Sequence, residues 1–100
     1  MTRNGWTSLL GLANRARKVT SGEELVLKEI RNGNAKLVLL SGDASSNTAK
    51  KINDKSGYYN IPLRTVTDRF TLGSAIGKDA RVVVAIIDIG FANKLMQLLD

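Results

Sequence analysis

"TLGSAIGKDARVVVAIID", residues 71–88, decides how the rest of the chain is read. Gly73 and Gly77 stand four apart before Lys78, and Gly77-Lys78 echoes the end of a nucleotide-binding loop, in which backbone N–H groups cradle phosphate. Such a loop needs a strand before its glycines and a helix after them. Here the β-branched run follows the glycines, and Asp79 rather than Ser or Thr follows Lys78. The stretch therefore predicts a short helix closed by Gly77, since glycine takes the left-handed position after a helix at little cost. A buried strand over 81–87, the longest of the chain, comes next.

Outward from this stretch, helices and strands alternate in both directions. Phe91, Leu95, Leu98 and Leu99 give a final amphipathic helix. Upstream, 62–66 reads as a short strand, and Thr67 or Asp68 can cap the short helix, which runs through Leu72. "AKLVLLSGD" (35–43) is a buried strand by its unbroken apolar run, and Gly42-Asp43 leads to a helix over 45–56 closed at Gly57. "TSGEE" (20–24) reads as a helix start in which Thr20 with Glu23, or Ser21 with Glu24, forms a capping box. That helix carries Leu25, Leu27 and Ile30 and ends at Asn32-Gly33. Val19-Thr20 is a short strand or connector. Trp6, Leu9, Leu10 and Ala13 recur at i, i+3, i+4 and i+7, a helix burying one stripe, with Thr7 or Asn4 as its cap.

This alternation predicts one domain over 1–100 of the α/β class, a three-layer α/β/α sandwich around a small mixed sheet of about four strands. One hundred residues with 43% hydrophobic side chains can build a core without covalent staples. There is no Cys and no His. Disulfides, zinc sites with those ligands, thiol nucleophiles and imidazole bases are thereby excluded. The nine acids show no paired spacing that would hold a metal or form an acid/base dyad. A non-enzymatic protein without cofactor or metal is expected. The short apolar patch near Leu9 and Leu10, followed by Arg15, is neither signal peptide nor membrane span, so no membrane partner and a cytoplasmic location are expected.

Fifteen Lys and Arg against nine acids give a net charge of +6, which favours a polyanionic partner. Residues 1–20 hold Arg3, Arg15, Arg17 and Lys18 with no acid; Lys50, Lys51 and Lys55 form a second basic group, as consistent with a solvated helix face as with binding. In layered α/β folds ligands gather at strand-to-helix loops. Three loops qualify: "VTSGEE", "SGDASSN" and "GKDAR". Gly22 would admit a phosphate near a helix start, with Lys28 within two turns. Trp6, Tyr58 and Tyr59 are candidate stacking surfaces for bases.

"RARKVTSGEELVLKEIRNGNAKLVLLSGDAS", "LGSAIG" and "RVVVAIIDIGFA" together resemble the ribosomal L7Ae kink-turn-binding family with its L30e relatives, and its bacterial YlxQ-type branch in particular. The likeness spans nearly the whole chain. It implies a sandwich that binds sharply bent RNA through a glycine-initiated helix of pattern G-x-N-E-x-x-K. Gly22 and Lys28 match that pattern; Glu24 stands at its Asn and Leu25 at its acidic position. Leu25 accepts no hydrogen bond and Glu24 donates none, so the resemblance implies a kink-turn-like reader of altered specificity. It also puts the family's pocket for an extruded nucleotide at Asp43, Ala44 and Ser45 and at Ser74.

The expected RNA-binding set is Arg15, Arg17, Lys18, Gly22, Glu24, Lys28, Ser45, Gly73, Ser74, Lys78 and Arg81. The expected partner is a structured or ribosomal RNA, with a ribosomal or other protein as a second partner. The rival reading is a protein-interaction or assembly module that keeps the fold and has lost kink-turn recognition.

Overall fold

The computed structural model describes residues 5–100, in which five helices alternate with four strands: α1 (Gly5–Arg15), β1 (Val19–Ser21), α2 (Glu23–Arg31), β2 (Leu37–Ser41), α3 (Ser46–Tyr58), β3 (Leu63–Val66), α4 (Arg69–Ala75), β4 (Val83–Ile86) and α5 (Ile89–Leu99). The strands form one sheet in the order β1-β4-β2-β3. β2 pairs with β3 in parallel, whereas β4 runs antiparallel to both β1 and β2.

The two central strands are buried at every residue, because helices cover both faces of the sheet. The two-residue period of a strand then sorts side chains into two cores. Leu37, Leu39, Val84 and Ile86 pack with Trp6 and Leu10 of α1, Leu72 of α4 and Leu95 of α5. Val38, Leu40, Val83 and Ala85 pack with Val26 and Ile30 of α2 and Ile52 of α3. Each such fully buried aliphatic side chain contributes about 1.5–3 kcal/mol relative to exposure. A one-residue slip of β2 would exchange the contents of both cores.

Four helices end in the same way. After α1, α2, α3 and α4 the chain takes a positive φ at Arg17 (63°), Gly33 (77°), Asn60 (58°) and Gly77 (73°). At each, that residue's N–H donates to the carbonyl three back and the next N–H to the carbonyl five back: Gly77 to Ser74 at 3.0 Å, Lys78 to Gly73 at 2.9 Å. This pair of hydrogen bonds closes the helix by satisfying its last free carbonyls. Gly33 and Gly77 do it without strain, and Asn tolerates it; an arginine there costs about 1–2 kcal/mol.

Several expectations are corrected by these contacts. No capping box starts α2: its N-cap is Gly22, with φ 100° and ψ 143° and no side-chain cap. Thr20 instead donates its hydroxyl to Glu29 at 2.8 Å, and Glu23 is held by α3. Gly57 lies inside α3, which closes at Asn60. The longest strand is β2, because 81–82 lie outside the ladder. α4 runs to Ala75 from an N-cap at Asp68, whose carboxylate accepts the Thr71 N–H at 2.8 Å. Thr7 is inside α1 and not its cap, and Asn4 falls outside the described residues.

Candidate functional site

Strand direction places the loops. β1, β2 and β3 point one way and β4 the other, so the turns 21–22, 42–45 and 67–68 meet the return segment 76–82 at one end of the sheet. Polar contacts tie this end together. The Arg81 Nε donates to Ser21 Oγ at 3.4 Å and its backbone N–H to the Arg69 carbonyl at 3.0 Å. Arg69 in turn donates to the Asp43 carboxylate at 3.3 Å and the Asp43 carbonyl at 2.7 Å. Glu23 accepts from Lys51 at 3.1 Å and Thr48 at 2.9 Å, and these partners, Lys51 first, hold its carboxyl below the ordinary glutamate range.

Against this stitched background the start of α2 is open. α3, α4 and α5 each begin with a side chain accepting a backbone N–H, from Ser45, Asp68 and Asp88 respectively. α2 begins with Gly22 and has none. A Cβ at Gly22 would meet nothing within 4 Å. The first N–H groups of α2 can therefore donate to an incoming acceptor, and the absent side chain lets it approach. Glu24 and Leu25 are both exposed beside this opening, Leu25 by 57%.

The other expected site residues divide. Ser45, Lys78 and Arg81 share this end with Gly22 and Glu24, while Lys28 is exposed farther along α2. Gly73 is buried under the return segment, where a Cβ would come within 2.7 Å of the Ala80 backbone, so its place is structural packing. With Arg15, Ser74 lines a groove of about 570 Å³ between α1 and α4, walled by Thr7, Ser8, Gly11 and Thr71. That groove does not include Asp43, Ala44 or Ser45. Arg17 and Lys18 precede β1 and stand at the opposite end of the sheet.

Trp6 is 5% exposed and belongs to the core, not to a stacking surface. Tyr58 and Tyr59 contact each other edge-on, centroids 5.0 Å apart, at the far end of α3. The aromatic that sequence reasoning missed is Phe70, 64% exposed in the first turn of α4 beside Arg69. Its position after the capping Asp68, where a first-turn residue has no preceding turn to pack on, was the available signal. In the second basic group, Lys50 pairs with Asp54 and Lys51 with Glu23, leaving Lys55 beside Leu27 and Arg31 in a cleft between α2 and α3. Among the described residues no helix is long and apolar enough to cross a membrane.

The model of the ribosomal protein L7Ae/L30e/S12e/Gadd45 family matches residues 5–96. The chain is 68% identical to the RNA-binding protein YlxQ of Bacillus subtilis (strain 168) over 95 residues, which cover 95% of each chain. It is 45% identical to the RNA-binding protein YlxQ of Enterococcus faecium, covering 93% of this chain and 89% of that one. A solved structure of a protein with unknown function from Bacillus halodurans superposes with a TM-score of 0.94 at 52% identity, covering 96% of this chain and 97% of the other. A match over nearly all of the sheet and both helical layers, at this identity, has one meaning: the chain belongs to the ribosomal protein L7Ae/L30e/S12e/Gadd45 family, in its YlxQ-type bacterial branch.

Proposed function

We propose that this chain is a non-enzymatic RNA-binding protein that takes a bent, structured RNA at the loop end of its sheet, in the setting of the ribosome or another ribonucleoprotein. The observation that carries the reading is the uncapped, unobstructed start of α2 at Gly22, set beside Lys78 and Arg81, neither of which makes an ion pair among the described residues. Its relatives from Bacillus subtilis and Enterococcus faecium are both described as RNA-binding. In this reading the α2 N–H groups and Gly22 receive a backbone phosphate. Lys78 and Arg81 neutralise its neighbours, Lys28 contacts the flanking strand, and Phe70 offers a face to an unstacked base. Glu24 accepts hydrogen bonds from base-edge amino groups, and Leu25 packs on a base or sugar where a polar reader would bond. Specificity is accordingly altered from that of a standard kink-turn reader.

Exposed Leu25 and Phe70 support a second reading, a protein partner docked at the same end, because large apolar side chains at an open edge favour such contacts. One experiment separates the two. A kink-turn RNA and a straight RNA duplex of equal charge are titrated with wild type, with Lys78→Gln/Arg81→Gln, and with Glu24→Asn/Leu25→Glu. RNA docking at this end predicts that the first variant lowers the salt slope by about 2, one phosphate for each cation removed. The second variant gains about tenfold to a hundredfold for the kink-turn alone, equivalent to about 1–3 kcal/mol of restored polar contacts. Unchanged binding by both variants, with native melting, moves the RNA off this end and leaves the protein partner as the reading.

A further inference from the structure

The end of the sheet opposite Gly22 is also cationic, and its chemistry is simpler. Lys18 and Lys36 flank the end of β4: the Ile87 N–H donates to the Lys18 carbonyl at 2.9 Å, and the Lys36 N–H donates to the Ile86 carbonyl at 2.7 Å. With one strand between them, their backbones lie about 10 Å apart. Arg17 adjoins Lys18, and both are exposed. Two acids near this end keep their charge but are turned to neutral donors: Glu29 accepts from Thr20 and Asn34, and Asp88 accepts the Phe91 N–H that starts α5. None of the three cations makes an ion pair among the described residues.

Arg17 is the informative residue. Four helices close through one left-handed residue, and at the other three that residue is Gly33, Asn60 or Gly77, side chains that suit the conformation. At the end of α1 a bulky cation occupies it, its backbone N–H bonded to the Asn14 carbonyl while its side chain is exposed and makes no hydrogen bond among the described residues. A side chain kept where the backbone favours glycine points to use of that side chain. The left-handed residue also turns the chain sharply, so that Arg17 and Lys18 are presented together at the tip of the turn.

We infer that Arg17, Lys18 and Lys36 form a second phosphate-binding surface that engages the sugar-phosphate backbone of duplex RNA independently of the Gly22 end. The inference rests on the reading of this chain as an RNA-binding protein. Duplex nucleic acid carries about one charge per 1.7 Å of axis, so a cationic strip about 10 Å wide spans several phosphates. Between Lys36 and the Gly22 end lie about six extended residues, roughly 20 Å. One molecule thus grips a bent segment at one end and an adjoining or second helix at the other. Among the described residues Arg17, Lys18 and Lys36 are themselves all cations, suited to phosphate rather than to base edges, so their contact is indifferent to sequence.

The test uses the full chain, a straight RNA duplex and a kink-turn RNA, each titrated at several salt concentrations. Wild type is compared with Arg17→Gly, with Arg17→Gly/Lys18→Gln/Lys36→Gln, and with Lys78→Gln/Arg81→Gln, and each protein is melted in parallel. The triple variant is expected to lose about 2–3 from the salt slope on the straight duplex, and more than tenfold in affinity at low salt, with the melting temperature kept. Arg17→Gly alone loses about 1 from the slope and melts at or above the wild-type temperature. An unchanged slope in the triple variant, while wild type binds RNA and Lys78→Gln/Arg81→Gln weakens it, overturns the second surface and leaves the Gly22 site standing. A drop in melting without a change in binding for Arg17→Gly would assign Arg17 to the α1 C-terminal dipole and overturn it equally. Wild type that binds neither RNA defeats both readings.

Discussion

The start of α2 and the end of α4 are both glycine-marked segments at the same end of the sheet, yet they are built on opposite principles. At Gly22 the backbone is unusual and the surroundings are empty: φ is 100°, and a Cβ would touch nothing within 4 Å. At Gly73 the backbone is ordinary helix and the surroundings are full, with three Ala80 backbone atoms at 2.7–2.8 Å from a hypothetical Cβ. The first glycine leaves a space that an external group can enter. The second closes a space so that the return segment, and with it Lys78 and Arg81, lies tight on α4. Gly77 completes that closure through its left-handed φ of 73°. A glycine-rich motif therefore divides into contact and scaffold by what a side chain would meet there, and spacing in the sequence does not reveal which is which.

The sharpest way to break this contrast is Gly73→Ala. Backbone atoms cannot swing aside as a side-chain tip can, so the added methyl must push the return segment off α4. The expected destabilisation is about 3 kcal/mol, the upper part of the range for overpacking. In a chain of this size that lowers the melting temperature by roughly 12–24 °C. RNA affinity, measured well below the melting point, should fall because Lys78 and Arg81 are displaced. A melting temperature within about 2 °C of wild type would show that the segment tolerates the methyl and that the contrast between the glycines is false.

Gly22→Ala tests the other side with a smaller effect on folding. There is room for the methyl, and the cost is the conformational one of holding an L-residue at φ 100°, of order 1–2 kcal/mol. Binding should suffer beyond that cost, because the methyl stands where a phosphate would approach the α2 N–H groups. The check is RNA titration at a temperature where both proteins are fully folded. Equal binding would make Gly22 a purely conformational glycine, and the open helix start would lose its role.

These two residues also show what the sequence could and could not disclose. The layers were legible because β2 and β4 are unbroken apolar runs with helical periodicity on either side, a signal that depends only on burial. The position of Gly77 after α4 was legible for the same local reason, as was the cap at Asp68. The start of α2 was misread, since Thr20 and Ser21 with Glu23 and Glu24 have the spacing of a capping box. Instead Thr20 bonds Glu29 of α2, Ser21 accepts from Arg81, and Glu23 accepts from Thr48 and Lys51 of α3, all partners outside the local turn. Such tertiary competition has no local signature. Nor could spacing tell that Arg17 and Lys18 stand at the other end of the sheet from Lys78 and Arg81, because that depends on β4 running against its neighbours.

The smallest effect concerns how the two helices begin. α4 starts on a titratable cap, α2 on none. The Thr71 backbone N–H, more than the Thr71 hydroxyl or the Phe70 N–H, holds the Asp68 carboxyl below the ordinary aspartate range. A depressed folded-state pKa means that the folded protein favours the ionised form. The stabilisation is fully present above the unfolded carboxylate pKa of about 3.9 and disappears as pH falls through the lower folded value. Asp68→Asn retains an acceptor oxygen for the Thr71 N–H but has no proton to take up. Its melting temperature should therefore fall less steeply than that of wild type as pH is lowered from about 5 to 2. Some acid slope will persist in the variant, because Glu23 and Asp100 are lowered too, by Lys51 and Arg64 respectively. At neutral pH the two proteins should bind RNA alike, since Asp68 faces its own helix and not the α2 opening. Superimposable acid limbs would mean that the Asp68 cap opens before it titrates, and α4 would then begin as loosely as α2 does.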